Sequence, residues 1–186
     1  MMNYKQRYHT PEGFDDLWMS SDGKVLTGLW FEGSRDEARF GEMIQEMSLP
    51  MVFDDTRRWL DLYFSGHQPD FTPAYRIDDL TPLRKQVSEI MRGIPFGRTM
   101  TYGEIAKRIV ESSQHSSLPP RKMSAQAVGG AVGWNPICII VPCHRVVGAN
   151  GNLTGYGGGM NNKIALLKLE GHDMRQFIVP AKSKVS

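Results

Sequence analysis

Cysteine is scarce in this 186-residue chain: only Cys138 and Cys143 are present. Two thiols exclude a disulfide framework and a cysteine-rich zinc site. Their spacing does not favour a bridge. On an extended strand, five residues at ~3.3 Å each set them ~16 Å apart and on opposite faces. A disulfide needs Cα atoms within about 7 Å. A sharp turn at Pro142 would shorten the distance, but the plain reading is two free thiols. Long apolar runs are also missing. No stretch approaches the roughly 20 apolar residues that span a bilayer, and the opening "MMNYKQRYHTPEGF" has no signal-peptide core. The expectation is a soluble cytoplasmic protein, nuclear in a eukaryotic source, with no membrane partner. There is no internal repeat and no low-complexity tract.

Net charge is small, +2, yet unevenly spread. Residues 1–80 carry 8 Lys or Arg against 15 Asp or Glu, and residues 81–186 carry 14 against 5. The basic half fits a polyanionic partner, and it equally fits an acidic domain packed on a basic one.

The first half reads as strands and then a helix. "DDLWMSS" and "KVLTGLWF" flank Asp22-Gly23, a hairpin signal. "VFDDTRRWLDLYFSG" has helical spacing with Gly66 as a stop, and Trp18, Trp30 and Trp59 read as core. "GHQPDFTPAY" is a connector that places a domain boundary near residues 67–80. Beyond it, Thr81 caps a helix that closes at Gly93, and Thr101 with Glu104 forms a capping box for a second. The polar loop 112–122 leads to a third helix, begun by Ser124 and ended by Asn135-Pro136. A strand "ICIIVP", a glycine-rich loop and the helix "NKIALLKLEG" follow. The fold class is α/β (α+β) in two domains: an α/β unit over 1–79, a mainly helical unit with a helix-turn-helix over 80–175, and a tail over 176–186.

Gly129, Gly130 and Gly133 lie within the third helix, where each costs about 1 kcal/mol relative to Ala. Tight helix packing would offset that cost, and so would close approach to a ligand surface. A helix of Ala, Val and Gly is slim enough for a DNA minor groove only ~6 Å wide.

Cys143 sits after Pro142 at a strand end, with the positive charge of His144 and Arg145 beside it to lower its thiol pKa. Arg145 has a structural reading as well, its guanidinium satisfying loop carbonyls. On a strand His144 would point away from the sulfur, so either the chain turns or a water relays the proton. Glu170, ending the last helix, is the group to orient the imidazole. Cys138, between Ile137 and Ile139, reads as core.

The run "NPICIIVPCHRVVGANGNLTGYGGGMNNKIALLKLEG", preceded by "TYGEIAKR" and "SAQAVGGAVGWNP", closely resembles the active-site region of the O6-alkylguanine-DNA alkyltransferases. These are the methylated-DNA–protein-cysteine methyltransferases. The resemblance is strong over residues 80–171 and looser over 1–79. It implies a ribonuclease H-like N-terminal domain and a single-turnover transfer of an alkyl group from O6-alkylguanine or O4-alkylthymine to Cys143. It further implies that His144 is the base through a water, that Glu170 orients it, that Asn135 ties the turn to the cysteine, and that Tyr102 donates toward the departing guanine. Gln126, Ala127, Gly129, Gly130 and Arg145 would meet double-stranded DNA in the minor groove. Val146, Tyr156, Gly157, Gly158 and Met160 would form the base pocket. A monomer without cofactor or metal is implied. Gln126 departs from the arginine that better-known members carry, which bears on duplex affinity and flipping, not on the transfer chemistry. Two other functions are weighed: a non-catalytic helix-turn-helix or lesion-recognition protein, which leaves the Cys-His pair unexplained, and a cysteine hydrolase.

Overall fold

The computed structural model describes residues 4–35, 37, 51–113 and 123–180. Parts of the 112–122 loop and of the 176–186 tail lie outside them. The described chain mixes strands and helices. Strands β1 (Tyr4–Tyr8), β2 (Leu17–Ser21) and β3 (Leu26–Phe31) form an antiparallel sheet in the order β1-β2-β3. The hairpin turns at Asp22-Gly23, where Gly23 takes φ 98° and the Asp22 carboxylate accepts from the amides of Lys24 and Val25. β1 was not legible in sequence, because its polar side chains hide the alternation. Trp30 and Trp59 are core, as expected, but Trp18 is half-buried and its indole donates to Glu32.

Helix α1 (Met51–Phe64) turns Val52, Phe53, Trp59, Leu60 and Tyr63 inward, and Gly66 ends the run at φ 86°. The connector after it is not loose. Ala74 accepts from the amide of Leu26 and Arg76 donates to its carbonyl, so the connector adds a short parallel contact to β3.

Three helices follow, each opened by its expected cap. α2 (Pro82–Arg92) begins with Thr81 accepting from the Arg84 amide and stops at Gly93. α3 (Tyr102–Ser113) opens with the reciprocal pair of Thr101 and Glu104. α4 (Ala125–Val132) is capped by Ser124 and ends at Gly133, two residues before the expected Asn135-Pro136 stop. α2, α3 and α4 pack on one another. The core runs without a break from the sheet through Val87, Met91 and Ile105 to Val128 and Val141.

The expected strand over 137–142 is overturned. Ile137 makes one bridge to Leu29, and the chain then curls. Asn135 Nδ2 donates to the carbonyls of Ile137 and Val141, 3.2 and 2.7 Å away, the groups a strand would have offered a neighbour. Val141 N donates back to Ile137 O, and Ile139 is left at φ 65°. A left-handed β-branched residue is strained by roughly 1–3 kcal/mol, and the asparagine clamp holds it there. A short parallel pair, β4 (Met100–Thr101) with β5 (Val146–Val147), then brings the chain beside the start of α3. α5 (Met160–Leu169) closes the site, with Gly171 at φ 82° beyond it.

Candidate active site

The residues Cys143–Arg145 form one turn of 3-10 helix, preceded by Pro142. This turn resolves the strand-geometry difficulty: successive side chains fan out instead of alternating across a sheet. Cys143 is 8% exposed, and Asn135 Nδ2 donates to its sulfur at 3.1 Å. The amide that curls the chain therefore also holds the Cys143 sulfur.

His144 points inward and is fully buried, its Nε2 2.7 Å from Glu170 Oε1. The other nitrogen, Nδ1, is buried and meets no partner among the described residues. Glu170 receives donors from several elements. Arg145 Nε reaches both carboxylate oxygens at 3.0 Å, Arg145 Nη2 reaches Oε1 at 2.9 Å, and the Gly97 amide reaches Oε2 at 3.1 Å. Tyr63, from α1, adds its hydroxyl to Oε1 at 2.7 Å. Burial pushes the Glu170 carboxyl up, but the hydrogen bonds and charges of His144 and Arg145 outweigh it and bring the group down to about 2. Burial pushes His144 below its ordinary value against the pull of Glu170. At neutral pH a neutral imidazole thus faces a carboxylate anion.

A cavity of about 30 Å³ lies beside Cys143, and Tyr102, Gly129, Asn135, Cys138, Tyr156 and Gly158 are among its walls. The Tyr102 hydroxyl accepts from Thr154 Oγ1 at 2.9 Å, and burial raises its pKa above the ordinary phenol value, so it carries its proton. The Tyr156 hydroxyl is buried beside Cys143. Gly158 is a glycine of necessity: a Cβ there would lie 2.7 Å from both Phe31 and Tyr156.

The structure therefore brings together Cys143, His144, Glu170, Asn135 and Tyr102, with Tyr156, Gly157 and Gly158 over them. Three expected placements need correction. Arg145 does not face outward to DNA: it is 5% exposed, and its guanidinium is held by Glu170 and by the Ile94 carbonyl at 2.6 Å. Of the loop carbonyls that the structural reading expected it to satisfy, the guanidinium meets that of Ile94, and its remaining bonds go to Glu170. Met160 leaves the cavity and packs with Val147, Leu153 and Leu167 at the start of α5. Val146 lies in the main core, and its contribution near the site is its carbonyl, which accepts from Lys163 Nζ at 2.7 Å. On α4, Gln126, Ala127 and Gly130 are exposed while Gly129 lies against the Tyr102 ring.

Sequence reasoning missed Tyr63 and Lys163, and it placed Cys138 in the core although it also lines the cavity. Lys163 is 1% exposed, and burial draws its ammonium down to about 8 against the opposing influence of Cys143. Asn162 and Lys163 are the polar residues among those α5 buries, and a lysine one turn before Leu166 and Leu167 is the signal that could have marked it.

Comparison with known proteins bears on the chain as a whole. Residues 82–172 match the family model described as "6-O-methylguanine DNA methyltransferase, DNA binding domain". The chain is 38% identical over 160 residues to the methylated-DNA–protein-cysteine methyltransferase of Mycobacterium leprae, covering 85% of this chain and 87% of that one. The protein of the same name from Haemophilus influenzae is 36% identical over 167 residues, covering 90% and 86%. Among solved structures, the O6-methylguanine methyltransferase of Mycobacterium tuberculosis superposes with TM-score 0.72 at 36% identity, covering 97% of each chain. A Mycobacterium tuberculosis structure described as OGT in complex with DNA gives 0.71 at 34%, covering 96% of each. A buried Cys-His-Glu arrangement within a chain this similar over most of its length leaves one assignment: it belongs to the methylated-DNA–protein-cysteine methyltransferase family.

Proposed function

We propose that this protein binds alkylated DNA and repairs it by moving the alkyl group irreversibly from O6-alkylguanine or O4-alkylthymine to Cys143. The observation that carries the residue roles is the sulfur itself: Asn135 donates to Cys143 Sγ inside a cavity that also contains the protonated Tyr102 phenol. Displacement at an alkyl carbon needs a soft nucleophile, and a thiolate is the best a side chain offers. The C–S bond forms as the C–O6 bond breaks, and the electron pair leaves with the base. Guanine departs well only if its ring gains a proton or hydrogen bond as charge develops, which suits Tyr102.

His144 is the base, and its buried, unpartnered Nδ1 supports a relay water between it and Cys143. Glu170 orients the ring and balances its charge. The alkylated oxygen lies inside the duplex, so the nucleotide is flipped out at a cost of a few kcal/mol. The minor groove receives α4: Gly130 is exposed and a Cβ there would meet no described atom, so packing within the chain does not require a glycine at that position. Gln126 and Ala127 share that exposed start of the helix. Tyr156, Gly157 and Gly158 form the loop closing on the base. The protein acts as a monomer and once only, with a ribonuclease H-like unit over 1–79 supporting a helical transferase unit over 80–175.

Mass spectrometry after mixing with O6-methylguanine DNA tests this. A gain of about 14 Da, one methylene, appears on the Cys143 peptide and is absent in Cys143→Ala. An unshifted wild type rejects the repair reading and favours lesion recognition alone, and product in excess of protein favours a hydrolase.

A further inference from the structure

Glu170 receives one donor from a part of the chain far from the catalytic turn. Tyr63 on α1 is wholly buried, and its hydroxyl donates to Glu170 Oε1 at 2.7 Å. Its oxygen lies 3.3 Å from His144 Nε2, which meets that same carboxylate oxygen. The phenol ring has little freedom. It stacks on Trp59 with centroids 5.4 Å apart and meets Phe96 and His144 edge-on at 5.8 and 6.3 Å.

We propose that Tyr63 is a positioning residue for alkyl transfer, its hydroxyl setting the direction and strength of the Glu170–His144 bond that serves Cys143. This rests on His144 taking the Cys143 proton. Oε1 is shared among Tyr63, His144 and two nitrogens of Arg145. In such a buried network a donor strengthened or lost at one atom changes what remains for the others. Tyr63 withdraws carboxylate charge that would otherwise bind the imidazole. It acts only as a donor to Glu170, because burial, and then the Glu170 charge, hold its phenol well above the ordinary value. The other charged groups that influence His144 are Arg145 beside it and Lys163 on α5. Those coupled to Cys143 are Tyr102, Tyr156 and Lys163. Arg145 shares Oε1 with Tyr63, so its influence on His144 moves together with the change at Tyr63, and the His144→Asn background separates what reaches Cys143 through the imidazole from what does not.

Tyr63→Phe keeps the ring contacts and removes the hydroxyl. Glu170 then binds the imidazolium more strongly, His144 becomes more basic, and Cys143 loses its proton at lower pH. The probe is iodoacetamide, read as carbamidomethylation of the Cys143 peptide by mass across pH. Sulfur bonds to carbon, iodide leaves with its electron pair, and the thiol proton passes to His144 and then to solvent. The acid limb is expected to move down by roughly half a unit. The plateau rate falls by somewhat under twofold, because nucleophilicity drops with thiol pKa along a slope of about 0.4–0.5. In a His144→Asn background the same change shifts nothing further. An unmoved limb in Tyr63→Phe, or an equal shift in the His144→Asn background, overturns the proposal. The relay reading fails separately, if His144→Asn itself leaves the limb in place. A limb moved by His144→Asn but not by Tyr63→Phe removes the Tyr63 role alone.

Discussion

Replacing Glu170 with Gln removes one buried charge and leaves the other behind. The Arg145 guanidinium remains 5% exposed, with the Ile94 carbonyl and a neutral amide to hold it. The size of the effect follows from the carboxyl, which is held at about 2 in place of the ordinary 4.5. That difference corresponds to about 3 kcal/mol, at the lower edge of the roughly 3–5 kcal/mol lost when one member of a buried pair is removed. At roughly 2–4 °C per kcal/mol for a chain of this size, Tm falls by roughly 6–20 °C. The sign with pH is set by the depressed carboxyl. Its stabilisation is complete above the unfolded value near 4.5 and is lost as pH falls toward about 2. Urea unfolding at neutral and acid pH therefore shows a gap between wild type and Glu170→Gln that narrows in acid. Methyl transfer slows more than DNA binding weakens. A gap independent of pH refutes the charge argument, and equal losses of transfer and binding refute the orienting role.

Lys163→Met removes an ammonium that burial draws from 10.5 to about 8. A depressed cation costs stability below its folded pKa, so the wild type gains on the variant by up to about 3 kcal/mol as pH rises from 8 toward 10.5. Paired denaturant titrations at the two pH values measure that gain, and a constant difference contradicts it. Asn135→Ala removes one donor each from the Ile137 carbonyl, which keeps the Val141 amide, from the Val141 carbonyl, which keeps the Cys143 amide, and from Cys143 Sγ. It should cost roughly 1–3 kcal/mol and slow transfer on folded protein, and a variant with wild-type stability and rate counts against the clamp.

Much of the chain was legible where structure is local. Thr81, Thr101 and Ser124 cap their helices because a side-chain oxygen and an amide three residues on are enough to make each cap. Cys143 and His144, the proposed nucleophile and base, are neighbours in sequence, and so are readable. What failed was set by distant or competing partners. Ile137 to Val141 have the β-branched run of a strand, yet one asparagine amide takes the carbonyls that pairing would need. Arg145 could be read as satisfying carbonyls, but its tie to Glu170 spans 25 residues, and the hydroxyl of Tyr63 meets that carboxylate across 107. Tyr63 looks in sequence like any other aromatic on the buried stripe of α1. Met160 was misplaced because a glycine-rich run does not reveal where the helix after it begins.

The cavity beside Cys143 has one more consequence. Its 30 Å³ is room for one or two water-sized groups, a fraction of the volume of a purine. The resting site therefore matches what the sulfur keeps and not what the base brings. On the proposed reading, the pocket beside Cys143 has to widen to admit a base, whereas a methyl group left on the sulfur fits the volume already there. A bulkier adduct exceeds that volume, so the spent protein would carry the size of the damage it removed as a distortion of the pocket walls.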